Sequence, residues 1–184
     1  MERIIKTVTE KHRLPALDFV ERVFTEHADA AEGRTVRQLV REIRAGAYYL
    51  PELELIMVNE QDEIIGYAQF SRFPIEGRYD RELLLLSPVA VKTALQRQHI
   101  SRDLLEYGFE KARSLGYRAV LVEGDPRNYR ARGFDTSAKY GIVAGPHIHL
   151  PHPDCLMAAA LVPGGLDGIR GAVSYDMYPV LRDE

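Results

Sequence analysis

With a single cysteine, Cys155, this chain of 184 residues has no internal disulfide to brace it, and a reducing compartment suits it. It has no excess of positive charge either. The formal net charge is -3 at pH 7, which argues against general nucleic-acid binding, since that needs a basic surface. No apolar run approaches the ~20 residues that span a bilayer, and the N-terminal MERIIKTVTEKHR lacks the apolar centre of a signal peptide. These absences predict a soluble cytoplasmic protein with no membrane partner. Repeats, low-complexity tracts and linkers are missing too, so residues 1–184 read as one domain. What is present is ordinary globular material: 46% of residues are hydrophobic, and the length suffices for a core that needs no staples.

The chain is organised around residues 83–134. Leu83, Leu84, Leu85 and Leu86, then Val89, Ala90 and Val91, make an apolar run too short for a separate helix, and Pro88 interrupts it. Proline has no N–H for a ladder, so this strand is expected to bulge at Ser87-Pro88 and pull away from a neighbour. Ile100, Leu104, Leu105, Tyr107, Gly108, Phe109, Ala112 and Leu115 recur at spacings of three and four, which predicts an amphipathic helix that Gly116 stops. Ser101 is the expected N-cap, with Gln96, Arg97, Gln98 and His99 before it. Free N–H groups and the helix dipole favour a phosphate there, and Arg97 and Arg102 add charge. Residues 119–123 predict a second strand, and Gly124-Asp125-Pro126 opens a short helix with aspartate as N-cap and proline at its first position. That helix carries Asn128, Tyr129, Arg130 and Arg132 and ends at Gly133-Phe134. The whole is a βαβ unit whose central turn suits an anion.

Upstream, Ile4, Ile5 and Val8 predict a strand, residues 14–24 a helix, 28–33 a loop, and 35–45 a helix ended by Gly46. Strands at 53–58 and 64–72 form a hairpin around Asn59-Glu60-Gln61-Asp62. Downstream, residues 136–153 are rich in glycine, proline and histidine and only part of them is expected to be strand, residues 156–162 read as a buried strand, and 173–177 as a last edge strand, through which a homodimer could pair. This order predicts an α/β (α+β) fold: a mixed, mostly antiparallel twisted sheet with helices on both faces.

Strand, bulge, a Gln96-x-x-x-x-Ser101 turn, helix, strand and Tyr129-x-x-x-Gly133-Phe134, in that order, resemble the GNAT superfamily of acyl-CoA-dependent N-acetyltransferases. Pro153-Asp154-Cys155-Leu156-Met157-Ala158 and the Gly/Pro-rich residues 161–168 resemble its YhbS-like branch. The resemblance implies the acyl-CoA N-acyltransferase-like fold, acetyl-CoA as cosubstrate, and an amine of a small molecule or protein as acceptor. It sets the acetyl carbonyl against the backbone of Val89, Ala90 and Val91, and the pyrophosphate against Gln96, Arg97, Gln98, His99, Ile100, Ser101 and Arg102. Family members carry Arg/Gln-x-x-Gly-x-Gly/Ala in this turn, whereas His99 and Ser101 stand here at the two glycine positions. The first glycine lets the backbone approach the phosphates, and histidine tolerates a positive φ better than most residues with a Cβ.

Acetyl transfer to an amine needs a polarised carbonyl, a deprotonated amine and a proton for the leaving thiolate. By its match to the family spacing, Tyr129 is the candidate acid; the plain alternative is a packed aromatic. Glu123 is the candidate base by its place at a strand end near the presumed cleft, where a solvated glutamate is the common case. Asp80 and Glu82 are no better placed, and ordered water could serve instead. His147, His149, His152, Asp154 and Cys155 invite a zinc reading. Their spacing is not a usual zinc pattern, and Pro146, Pro151 and Pro153 break the regularity, so a loop lining a substrate cleft, without metal, is the reading kept. Arg127, Arg130 and Arg132 read as a solvated basic face or as a hold for the coenzyme A 3′-phosphate. Three functions remain in view, in this order: an acetyl-CoA-dependent N-acetyltransferase, a ligand-binding or regulatory domain of the same fold whose phosphate site His99 has closed, and a metal-dependent hydrolase.

Overall fold

The computed structural model describes residues 2–182. Its first strand, β1 (Ile4–Thr7), is followed by α1 (Arg13–His27) and α2 (Ala30–Ala45). The second helix starts five residues before the expected 35. Asp29 caps it by accepting a hydrogen bond from the Glu32 N–H, and Gly33, read as loop, is buried within it. A Cβ on Gly33 would lie 2.0 Å from Thr25 Oγ1, so this glycine marks where α2 presses on α1.

The hairpin of β2 (Glu54–Val58) and β3 (Ile64–Arg72) forms as its turn signals predict, and β4 (Leu83–Val91) pairs antiparallel with β3. Gln69 alone faces Ser87 and Pro88 between the Ala68–Val89 and Phe70–Leu86 pairs, which is the expected bulge. Then come α3 (Ile100–Ser114), β5 (Ala119–Glu123) and the one-turn α4 (Pro126–Tyr129). Two short strands follow, β6 (Asp135–Thr136) and β7 (Ile142–Ala144), the second within the stretch where part was expected to be strand. The next, β8 (Leu156–Ala160), stops two residues before the predicted 162, and β9 is Gly171–Val173 rather than 173–177. This last strand pairs parallel with β7 in a separate two-stranded sheet. It therefore gives no free edge of the main sheet to a second chain.

The main sheet runs β1-β2-β3-β4-β5-β8-β6, antiparallel throughout except at β4–β5. On one face α3 buries Ile100, Leu104, Leu105 and Ala112 against Leu55, Met57, Phe70 and Leu84. A Cβ on Gly108 would lie 2.3 Å from the Phe70 ring, so α3 can lie this close only with glycine there. Tyr107 and Leu115, counted in its apolar stripe, are exposed. On the other face α1 and α2 cover Ile56, Val58 and Tyr67. Beneath them lies Glu54, fully buried, whose carboxylate accepts from Arg44 Nε at 2.8 Å, Tyr67 Oη at 2.7 Å and Tyr49 Oη at 2.8 Å. Burial and this carboxylate push the Tyr49 hydroxyl up to about 12 and that of Tyr67 well above its usual value.

Candidate active site

Parallel pairing of β4 with β5 covers only Leu83, Leu84 and Leu85. Past the bulge, Val89, Ala90 and Val91 keep β3 on one side and have no strand on the other. The gap opens into two cavities. One, of about 670 Å³, is walled by Val89, Ala90 and Val91, by Gln96, Arg97, His99, Ile100 and Ser101, and by Arg132 and His27. The other, of about 480 Å³, lies between α2, the end of β5 and the segment holding His147 and His149. Phe24, Val89 and Tyr129 line both. Tyr129 thus stands at the junction, as its position after β5 predicts.

The turn before α3 bends in a way the sequence only hinted at. Arg97 and His99 both take the left-handed conformation, with φ of 62° and 66°. His99, not Ser101, is the N-cap, and its side chain caps no amide. The histidine therefore reproduces the backbone that glycine would supply, and its side chain is exposed. The first-turn N–H groups of α3 carry no side-chain cap and face a cavity whose walls hold two arginines and no carboxylate.

Not every residue expected at this cavity reaches it. Gln98 turns away: its side-chain oxygen accepts from Arg3 Nη2 at 2.6 Å. Arg102 pairs with Asp103 at 3.0 Å and is absent from the wall. Of the three later arginines, Arg127 is tied to Asp125, and Arg130 to Asp135 and Asp154. Arg132 differs. It donates to Ser101 Oγ at 2.8 Å from the cavity wall, and its Nε is buried with no partner. An unpaired buried donor beside uncapped amides is what a phosphorylated ligand would complete. Sequence reasoning grouped Arg132 with its neighbours, and nothing in the local pattern separates the three.

Tyr129 is held by aromatic packing. Its ring meets Phe134 edge-on at 5.5 Å, Phe134 meets Phe109 at 5.8 Å, and Phe109 meets Phe70 at 5.9 Å. Burial raises its hydroxyl pKa and nearby Arg132 offsets part of that rise, so the proton stays on oxygen.

Glu123, exposed at the end of β5, lines the smaller cavity and accepts from Tyr175 Oη at 2.9 Å. Burial and this carboxylate push the Tyr175 hydroxyl well above its usual value. Tyr175, in turn, rests on Phe73 with ring centroids 6.0 Å apart. Asp80 lies elsewhere, paired with Arg72, and Glu82 is not on the wall. The histidine segment divides: His147 and His149 line the cavity, while His152 accepts from the Asp154 N–H at 3.1 Å. Among the described residues no group of three or more His, Cys, Asp or Glu is placed to hold a metal ion.

The family model for the GNAT acetyltransferases matches residues 8–135. The N-acetyltransferase YhbS of Escherichia coli K12 is 26% identical over 163 residues, covering 88% of this chain and 89% of that one. YjhQ of the same organism is 27% identical, covering 74% of this chain and 82% of its own. Among solved structures, Escherichia coli YhbS in complex with CoA superposes with a TM-score of 0.84 at 22% identity, over 97% of this chain and 93% of that one. A GNAT acetyltransferase from Brucella melitensis in complex with acetyl-CoA gives 0.74 at 22% identity, over 95% and 96%. The fold is that of the acyl-CoA N-acyltransferases.

Proposed function

The chain belongs to the GNAT acetyltransferase family, and we propose that it transfers the acetyl group of acetyl-CoA to a primary amine. The observation that carries this is the meeting of two cavities of opposite character at Tyr129 and Val89. The larger has basic walls without a carboxylate, and the smaller has Glu32 and Glu123 without a lysine or arginine. An anionic donor and a cationic acceptor each have a side to enter by.

When bound, acetyl-CoA supplies an acyl group activated as a thioester. In this reading Arg97, Arg132 and the uncapped amides of α3 hold its phosphates. The unpartnered edge of Val89, Ala90 and Val91 faces the carbonyl and polarises it through backbone N–H groups. Glu123, oriented by Tyr175, takes a proton from the ammonium directly or through water. Tyr129 keeps a proton on Oη for the departing sulfur. Overall one C–N bond forms as one C–S bond breaks. The ammonium gives up two protons, one to solvent and one that ends on the thiol.

The geometry of the turn speaks for the acetyltransferase over the competing reading, a regulatory domain closed by His99. The left-handed conformation costs a residue with a Cβ roughly 1–2 kcal/mol, and His99 adopts it with its side chain exposed. The turn thus has the backbone that glycine would supply there, which supports a phosphate site left open. Calorimetric titration with acetyl-CoA, followed by thiol release with a panel of amines, tests the proposal. His99→Gly is expected to change the affinity by no more than about threefold, well under the tenfold that 1.4 kcal/mol represents. Tightening by orders of magnitude would favour the regulatory domain.

A further inference from the structure

The smaller cavity has a chemistry that narrows the acceptor. Phe24, Val36 and Leu39 come from the helices above it, Leu85 from β4, and Ile148 and Leu181 from the C-terminal part of the chain. Between these apolar walls stand two carboxylates, Glu32 and Glu123, with the imidazoles of His147 and His149 on the same wall. They come from different elements, the first turn of α2 and the end of β5. No lysine or arginine among the described residues lines the cavity to receive a carboxylate.

We infer that the acceptor is a small amine with an apolar body and no carboxylate. This rests on the acetyltransferase reading above. A volume of about 480 Å³ with mixed apolar and polar walls suits a small molecule. An ammonium is attracted by both glutamates, whereas a carboxylate beside it, as in an amino acid, meets two like charges and no lysine or arginine, with the imidazoles of His147 and His149 as its nearest polar company. Acetylation also removes the positive charge. The neutral amide loses the attraction that held the ammonium, which favours release of product over substrate.

Phenylethylamine and phenylalanine form a matched pair, with the same ring and amine and a carboxylate on the second alone. Both are titrated calorimetrically against the protein saturated with CoA, and both are assayed as acceptors with acetyl-CoA. The expected result is at least about tenfold tighter binding and at least about tenfold higher kcat/KM for phenylethylamine, the size of effect that like-charge repulsion gives. Glu32→Gln should weaken phenylethylamine binding and shrink that ratio. Equal or better use of phenylalanine, or of a lysine-containing peptide, overturns the inference and leaves the acetyltransferase standing. So does failure of phenylethylamine to bind a protein that binds acetyl-CoA. Failure to bind acetyl-CoA at all overturns both.

Discussion

A Cβ on Gly124 would stand 2.4 Å from Cε2 of Tyr129, so the tyrosine ring occupies space that any other residue at 124 would claim. Gly124 lies between β5 and the cap of α4. Its lack of a side chain, together with the edge-on contact to Phe134, fixes the hydroxyl at the junction of the two cavities.

Gly124→Ala is therefore expected to displace Tyr129 while leaving the buried sheet intact. A shift of this kind can lower turnover by about 100-fold when a proton donor is misplaced. Steady-state kinetics beside thermal unfolding by circular dichroism checks it: a large fall in kcat with a change of only a few degrees in Tm is the expected pattern.

Tyr129→Phe should lower kcat by about 100-fold, the lower part of the range for general acid catalysis, and leave the acetyl-CoA dissociation constant nearly unchanged. The pH profile carries the same information. Burial raises the Tyr129 pKa, so its hydroxyl stays protonated through neutral and mildly alkaline pH. Activity should rise with pH as the acceptor loses its proton and show no alkaline fall below about pH 10, the ordinary tyrosine value. A descending limb near pH 8 would remove Tyr129 from the proposed role.

Arg132 and Arg102 should separate cleanly. Loss of the Arg132 guanidinium from the cavity wall is expected to weaken acetyl-CoA about tenfold or more, the scale of a charge-assisted hydrogen bond. Arg102→Ala, which breaks only exposed pairs with Asp103 and Glu106, should leave affinity within about twofold. Calorimetry on the two variants gives the comparison.

Stability rests in part on the buried pair of Glu54 and Arg44, whose side chains are 0% and 6% exposed. Glu54→Ala leaves that guanidinium without its carboxylate and should cost about 3–5 kcal/mol in denaturant unfolding. The mixture of sheet and helix should survive in the far ultraviolet at low denaturant, because the apolar clusters on both faces are untouched.

The parts of this fold that were legible are those where a strong local rule agrees with the tertiary outcome. Pro88 cannot donate to a ladder, and the bulge falls there; Asp125-Pro126 caps α4, and Gly133 ends its turn with φ of 87°. The misses have physical causes. Gly33 reads as a breaker, but its role is to let two helices touch, which only the packed pair reveals. β6 and β9 are two and three residues long, too short for a period to register. In the candidate site, the family resemblance singled out Tyr129 and the turn, and both line the larger cavity. Which arginine faces the cavity depends on partners such as Asp125, Asp103 and Asp135, and no linear pattern encodes that pairing.

Two cavities, one proposed for the donor and one for the acceptor, meet at Tyr129, and a crystal structure of the protein grown with CoA tests those roles most directly. The prediction is a pyrophosphate on the amides that follow His99 with Arg132 beside it, and a sulfur within hydrogen-bonding reach of the Tyr129 hydroxyl. A cofactor bound elsewhere, or a His99 imidazole folded into the turn with no phosphate against α3, would contradict it.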